Sequence, residues 1–209
     1  MSQPREYCFY CMNHMPSPDG ICPFCQGDNR VRRNGSEELP FARLAGKYLI
    51  GRALGRGGFG ITYVGLNERL DRRVAIKEYF PENIARRSAD HIHVEAVSEE
   101  AAAMLEEGKN KALQEARTIV MADSIPNTVR VYDCFSRNNT VYIIMEYVEG
   151  ETLLTRLSQK GAMKWEDAFR AMRPIGEALQ ELAGSIRTFG LIQPITVRRK
   201  DDSKIGRAH

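Results

Sequence analysis

The chain has 209 residues, 43% of them hydrophobic and 27% charged, with a formal net charge of +3. That is enough for one ordinary domain plus a small appendage, and the mixed, weakly basic surface argues against a nucleic-acid partner. No apolar run reaches the length of a membrane span and no basic-then-apolar leader opens the chain, so no membrane partner and a cytoplasmic location are expected.

Four of the five cysteines come first, as Cys8-x2-Cys11 and Cys22-x2-Cys25, separated by ten residues. Each pair can set two thiolates on one tight turn, and two such turns facing one another make a tetrahedral Zn²⁺ site. The arrangement resembles a zinc ribbon, placed at residues 1–27. Disulfides are the alternative, but a reducing compartment disfavours them and the segment has too little apolar mass to fold without a staple. A four-cysteine site has no open position, so its role is expected to be structural. His14, between the knuckles, reads as a solvated loop residue, with replacement of one thiolate as the alternative. Residues 28–46, with Arg30, Arg32, Glu37 and Glu38 and little to bury, are expected to form a solvated linker.

A first strand is predicted near Lys47–Ile50. It leads into Leu54-Gly55-Arg56-Gly57-Gly58-Phe59-Gly60, a G-x-G-x-x-G pattern that suits either a dinucleotide site or a loop covering phosphates. A dinucleotide site needs a helix opening at the glycines, whereas Ile61, Thr62, Tyr63 and Val64 are β-formers. The segment therefore reads as strand, glycine turn, strand. Val74-Ala75-Ile76-Lys77 follows, an apolar strand ending on a lysine whose stem is expected to be buried and whose ammonium needs an anionic partner.

Together these motifs resemble the start of a protein kinase catalytic domain, and Ile76-Lys77-Glu78-Tyr79-Phe80-Pro81 resembles a bacterial serine/threonine subgroup of that family. The resemblance implies that Leu54, Gly55, Gly57, Gly58, Gly60, Thr62 and Ala75 frame ATP while Lys77 holds its α- and β-phosphates. It also implies Mg²⁺. Thr62 stands where the family has a valine. Pro81 ends the strand, and residues 82–98, including His91 and His93, are expected to be an extended connection.

From Ser98 or Glu99 to about Met121 the composition predicts helix, with Leu105, Leu113, Ala116 and Val120 as its apolar stripe and Gly108 as a break or kink. By the resemblance, Glu115 pairs with Lys77; Glu106 and Glu107 are rivals for that role. Val129–Phe135 and Thr140–Tyr147 read as a hairpin. The resemblance places Met145 at the back of an adenine pocket, whose edge is read by the carbonyl of Glu146 and the amide of Val148. A short helix is predicted from Glu151 to Leu157 and a long one from Lys164 to Leu182, broken or kinked at Pro174, with Met172, Ile175, Leu179 and Leu182 facing a core.

The expected fold is therefore α+β: a kinase-like small lobe with hinge at 47–150, built of a twisted antiparallel sheet and one helix, and part of a large lobe at 151–209. The sequence contains neither H-R-D nor D-F-G, so no catalytic residue is assigned and the chain reads as a truncated or damaged copy. Asp201 and Asp202 read as a turn, and the segment holding Phe189, Leu191 and Ile192 is expected to be disordered or aggregation-prone. Two functions remain open. One is a serine/threonine kinase transferring the γ-phosphoryl of Mg-ATP to protein hydroxyls; the other is a non-catalytic relative that binds nucleotide or a protein partner.

Overall fold

Short runs of β-branched and aromatic residues, each closed by a polar turn, set the architecture, seen here in a computed structural model that describes residues 6–17, 19–32, 34–121, 126–189, 196–198 and 205–207. Two units are distinguished: residues 1–120 with 131–147, and residues 121–130 with 148–209. Along the first run β1 (Ala42–Leu44), β2 (Tyr48–Gly57), β3 (Gly60–Asn67), β4 (Arg72–Tyr79), β5 (Ala85–Arg87), β6 (Val94–Ala96), the helix α1 (Glu99–Met121), β7 (Val131–Arg137) and β8 (Thr140–Glu146). All strands except β5 and β6, which pair with each other, join one antiparallel sheet in the order β1-β2-β3-β4-β8-β7. Local chemistry makes the turns. Asn67 Oδ1 accepts the amides of Arg69 and Leu70 at 3.1 and 3.3 Å between β3 and β4. Asn138 and Asn139, both at positive φ (52° and 57°), give the β7–β8 hairpin a turn whose twist matches its strands.

The sheet curls until its second and last strands meet. The rings of Tyr48 and Phe135 stack at 6.1 Å, and Asp133 on β7 accepts from Lys47 Nζ at 2.6 Å and Tyr48 Oη at 2.9 Å. Burial by itself would raise the Asp133 pKa, but the hydrogen bonds from Lys47 and Tyr48 outweigh it and the pKa is lowered. A carboxyl with a lowered folded-state pKa contributes stability above its ordinary value of about 3.9 and loses it as pH falls through the folded value. Asp133→Asn is thus expected to cost about 1 kcal/mol at pH 7 and progressively less below about pH 4. Urea unfolding at pH 7 and pH 3 checks this; an equal cost at both would contradict it.

Inside the curl, Ile50, Tyr63, Ile76, Tyr142 and Ile144 are buried with Leu105 of α1. Such side chains contribute about 1.5–3 kcal/mol each when fully removed from water. The same core holds a charge pair, Glu78 on β4 and Arg87 on β5, with side chains 0% and 2% exposed.

Three expectations about this unit change. Residues 28–46 are not simply a solvated connector: Leu39, Phe41 and Leu44 are buried and β1 adds a strand to the sheet. Apolar residues spaced too sparsely to form a periodic pattern still find a common surface once the sheet exists. Residues 82–98, expected to be extended, fold back as the β5–β6 hairpin. Gly108 does not break α1, which runs unbroken from Glu99 to Met121. A Cβ there would stand 1.8 Å from Tyr79 Oη, so the glycine serves close approach of helix and strand.

In the second unit α2 (Leu153–Lys160) opens on Thr152, whose Oγ1 accepts the Thr155 amide at 3.1 Å, and closes on Gly161 at φ 74°. α3 (Trp165–Phe189) continues through Pro174 without a break. Its stripe was expected in a core, yet Met172, Ile175 and Leu179 are 49%, 45% and 43% exposed, and Phe169 and Trp165, one and two turns before Met172, are exposed too. The periodicity is that of a packing face; the side chain of Leu182 lies outside the described residues. β9 (Thr196–Arg198) and β10 (Ile205–Arg207) pair antiparallel. The segment around Leu191 and Ile192 and the turn at Asp201 and Asp202 lie outside the described residues. Among the described residues no helix is long and apolar enough to cross a membrane.

Candidate functional site

The expected phosphate-covering loop is the turn between β2 and β3, with Gly57 opposite Gly60 and Gly58 and Phe59 at its tip. Its glycines differ in what lies beside them. A Cβ at Gly55, Gly57 or Gly58 would meet nothing within 4 Å, whereas one at Gly60 would stand 2.1 Å from the Glu78 carbonyl oxygen. Three glycines thus present bare backbone to open space, and the fourth lets β3 approach β4. The tip is tied down, since the carbonyls of Phe59 and Gly58 accept the amides of Phe80 and Glu82 at 3.2 and 3.0 Å.

Strand register aligns the remaining candidates. Gly55, Thr62, Lys77 and Ile143 stand opposite one another on β2, β3, β4 and β8, and Ala75 stands opposite Val64 and Met145. Opposed residues share a face, as do residues two apart on one strand, so Thr62, Ala75, Lys77 and Met145 lie on one face. Tyr63, Ile76 and Glu78 take the other, which is the core face. Leu54 is part-exposed on β2, Glu146 ends β8, and Val148 lies exposed in the second unit.

Lys77 departs from expectation, being exposed rather than buried. The pleat turns Ile76 and Glu78 into the core and leaves Lys77 on the open end of the opposite face. Glu115 is exposed on α1, and among the described residues no ion pair within 4.0 Å joins it, or any other carboxylate, to Lys77. The rivals are held on their own helix, Glu106 by Lys109 and Glu107 by Lys111. Glu115 lies near the end of β4: burial first, and then the charges of Glu107 and Glu115, raise the Tyr79 pKa. An ammonium with no ion-pair partner among the described residues, in one cross-strand row with Thr62 and Gly55, suits a polyanionic ligand.

The cysteines form a second site. The Sγ atoms of Cys8, Cys11, Cys22 and Cys25 lie within 4.8 Å of one another, with Cys8–Cys25 and Cys11–Cys22 at 3.7 Å. None is disulfide-bonded. Four sulfurs about 2.3 Å from one tetrahedral centre stand about 3.8 Å apart, so the donor set fits Zn²⁺. The two knuckles repeat one geometry. Bridges pair Tyr7 with His14 and Ile21 with Asp28, and the amides of Met12 and Gln26, both at φ 60°, return to the carbonyls of Cys8 and Cys22 at 2.9 Å. His14 stays outside the cluster, its ring edge-on to Tyr7 at 5.7 Å. Burial works against ionising Cys22, but the amides of Cys25 and Phe24 and the neighbouring thiols hold its pKa lowered, to about 7.

Sequence reasoning missed Asn29, which is 1% exposed and lies past the expected ribbon boundary. Its Oδ1 accepts the Phe9 amide at 2.8 Å and its Nδ2 reaches Cys8 Sγ at 3.4 Å. Such a donor would hold the Cys8 sulfur in place were it to ligate a metal. A lone asparagine in a polar stretch carries no periodic signal that marks it out.

A family model described as protein kinase domain matches residues 48–183. The chain is 30% identical over 141 residues to the serine/threonine-protein kinase PrkC of Bacillus subtilis, covering 66% of this chain and 18% of PrkC. It is 29% identical over 153 residues to the probable serine/threonine-protein kinase PknB of Bifidobacterium longum, covering 69% and 19%. The chain therefore spans less than a fifth of the length of either relative. Among solved structures, PpkA-294 in its apo form matches with a TM-score of 0.55 at 31% identity, covering 59% of this chain and 43% of that one.

Proposed function

The chain belongs to the protein kinase domain family, and from that premise we propose that its first unit is the ATP-binding part of a bacterial-type serine/threonine protein kinase. The curled antiparallel sheet with few helices has the architecture of the family's small lobe. What carries the proposal is the row Gly55, Thr62, Lys77 beneath a glycine turn that borders open space. In this reading the bare amides and the Lys77 ammonium hold the triphosphate. Thr62, Ala75, Leu54 and Met145 line the base, and the Glu146 carbonyl reads its edge. Glu115 steadies Lys77 in the loaded state through movement of α1, the two being unpaired here.

The family's activity is γ-phosphoryl transfer to a protein hydroxyl, with a base and magnesium ligands supplied by H-R-D and D-F-G. This sequence holds neither motif, so its residues do not fit magnesium and no step is routed through that ion. These 209 residues are proposed to bind nucleotide without appreciable turnover. Cys8, Cys11, Cys22 and Cys25 would hold one Zn²⁺, which when bound supplies a cross-link where apolar mass is short. A reducing, cytoplasmic setting suits four such thiols.

Lys77→Met is expected to weaken binding of a fluorescent ATP analogue by about 1.5–3 kcal/mol, or roughly 10- to 150-fold, since it removes a charged hydrogen-bond donor from the phosphates. Titration of both proteins measures this. Equal affinities would overturn the placement of the triphosphate. With radiolabelled ATP and a generic basic acceptor, incorporation above the Lys77→Met control would overturn the non-catalytic reading of this chain.

A further inference from the structure

β2, the strand that enters the glycine turn, does not pair with β3 along its whole length. Its register shifts between Ile50 and Ala53 and again between Ala53 and Gly55, leaving the backbone around Arg52 outside the ladder. A bulge of this kind bends the strand and releases backbone groups that need other partners. Here the partners come from the N-terminal segment. The Arg52 amide donates to the Phe9 carbonyl at 3.0 Å and Arg52 Nε to the Tyr10 carbonyl at 3.2 Å. Asn34 closes the other side, its Nδ2 donating to the Gly51 carbonyl at 3.1 Å and its Oδ1 accepting the Ala53 amide at 3.1 Å. Glu37 then pairs with Arg56, inside the glycine loop itself.

The docking is close-packed. Phe9 and Met12 are buried with Leu49, Val64 and Leu66. A Cβ on Gly51 would stand 2.1 Å from Met12 Cε and 2.4 Å from the Phe9 carbonyl oxygen, so only glycine admits the knuckle at this point. Val64 lies two residues from Thr62 on β3, so the knuckle covers the same sheet face that carries the nucleotide row, further along the strand. A continuous path of hydrogen bonds links thiol to strand. Cys8 Sγ takes the Asn29 amide group at 3.4 Å, Asn29 Oδ1 takes the Phe9 amide at 2.8 Å, and the Phe9 carbonyl takes the Arg52 amide, three residues before Gly55.

We propose that the four-cysteine knuckle is a metal-dependent clamp on the strand that carries the glycine loop, with Asn34 and the Phe9 carbonyl as its positioning groups. With Zn²⁺ on the four thiolates, the knuckle presents the Phe9 and Tyr10 carbonyls to the bulge and holds the loop over the nucleotide. Without it the knuckle loosens, Arg52 loses the Phe9 and Tyr10 carbonyls, the bulge that Asn34 holds from its other side opens at Ala53, and the loop frays. This rests on the nucleotide-binding reading for its consequence, but the clamp itself is measurable without nucleotide.

The test is amide hydrogen exchange on the full chain, with one equivalent of zinc and after chelation, beside titration of a fluorescent ATP analogue. Chelation is expected to speed exchange at Arg52 and Ala53 by about tenfold or more while Tyr142 and Ile144 of β8, which pairs with β4 and β7 rather than with β2, stay protected. Asn34→Ala, still holding zinc, is expected to speed exchange at Ala53 and weaken the analogue by about tenfold; Asn34→Asp, which keeps the acceptor, restores part of both. If chelation unfolds the whole chain, the zinc-bound Asn34 variants decide. Unchanged exchange at Arg52 and Ala53 when Met12 and Gln26 lose protection overturns the clamp, as does Asn34→Ala without effect on Ala53. Exchange that responds in a protein that never binds the analogue supports the clamp and defeats the nucleotide reading; the reverse outcome does the opposite.

Discussion

Arg87→Met is expected to destabilise the first unit by about 3–5 kcal/mol, because it strands the buried Glu78 carboxylate without its partner. The pair is bidentate, with Arg87 Nη1 and Nη2 donating to the two Glu78 oxygens at 2.7 Å each. Tyr63 and Tyr142 each donate a further hydroxyl to Glu78 at 3.0 Å. Burial first, and then the Glu78 charge, push both phenol pKa values up, which keeps them donors. The remaining guanidinium donors go to the carbonyls of Glu37 and Ile92, so all five N–H groups are used. One arginine thus ties the β5–β6 hairpin and the N-terminal segment to β4. A domain stable by about 5–15 kcal/mol loses a large fraction of that stability with it. Urea unfolding of Arg87→Met and of Arg87→Met/Glu78→Gln checks the reasoning: the double variant should recover part of the loss, since no buried charge remains. A single variant within about 1 kcal/mol of the parent would show that water reaches Glu78 and that the network is not closed. Because Glu78 neighbours Lys77, the single variant should also weaken the ATP analogue.

Zinc is expected to bind at one equivalent, and its removal should unfold residues 6–32. Structural zinc in comparable small sites contributes an apparent binding free energy of about 10–16 kcal/mol at neutral pH, far more than this segment's own apolar contacts can replace. Cys22→Ala, which removes a buried donor, should abolish stoichiometric binding. The effect should spread beyond the knuckles, because Phe9 and Met12 cover Leu49, Val64 and Leu66 and would leave them wet. A lowered melting temperature in chelator, restored by added zinc, is the expected result. Metal analysis without stoichiometric zinc, or unfolding indifferent to chelator, would refute it.

Several elements were legible in the sequence because their cause is local. The β-formers flanking Gly55–Gly60 read as a hairpin, Asn138-Asn139 as its counterpart between β7 and β8, and Glu99–Met121 as a helix. The ordered motifs also led to the family. Two readings failed for opposite reasons. Gly108 looked like a helix break, and tertiary contact overrode that local rule because the glycine accommodates Tyr79; the stripe on α3 has the spacing of a core face, but spacing does not supply a partner, and its Met172, Ile175 and Leu179 are exposed.

What the sequence determined by itself was the periodic and the chemically specific: which runs alternate, where glycines cluster, and which four thiols share metal-ligand spacing. The tertiary structure alone decided the pairings. Glu78 with Arg87, Asn34 with the bulge at Gly51–Ala53, and Lys77 left without Glu115 depend on residues brought together from distant parts of the chain or on the direction a strand's pleat turns a side chain. The physical reason is that a hydrogen bond or ion pair is fixed by distance and direction within a few tenths of an ångström, and neither leaves a trace in the spacing of residues along the chain.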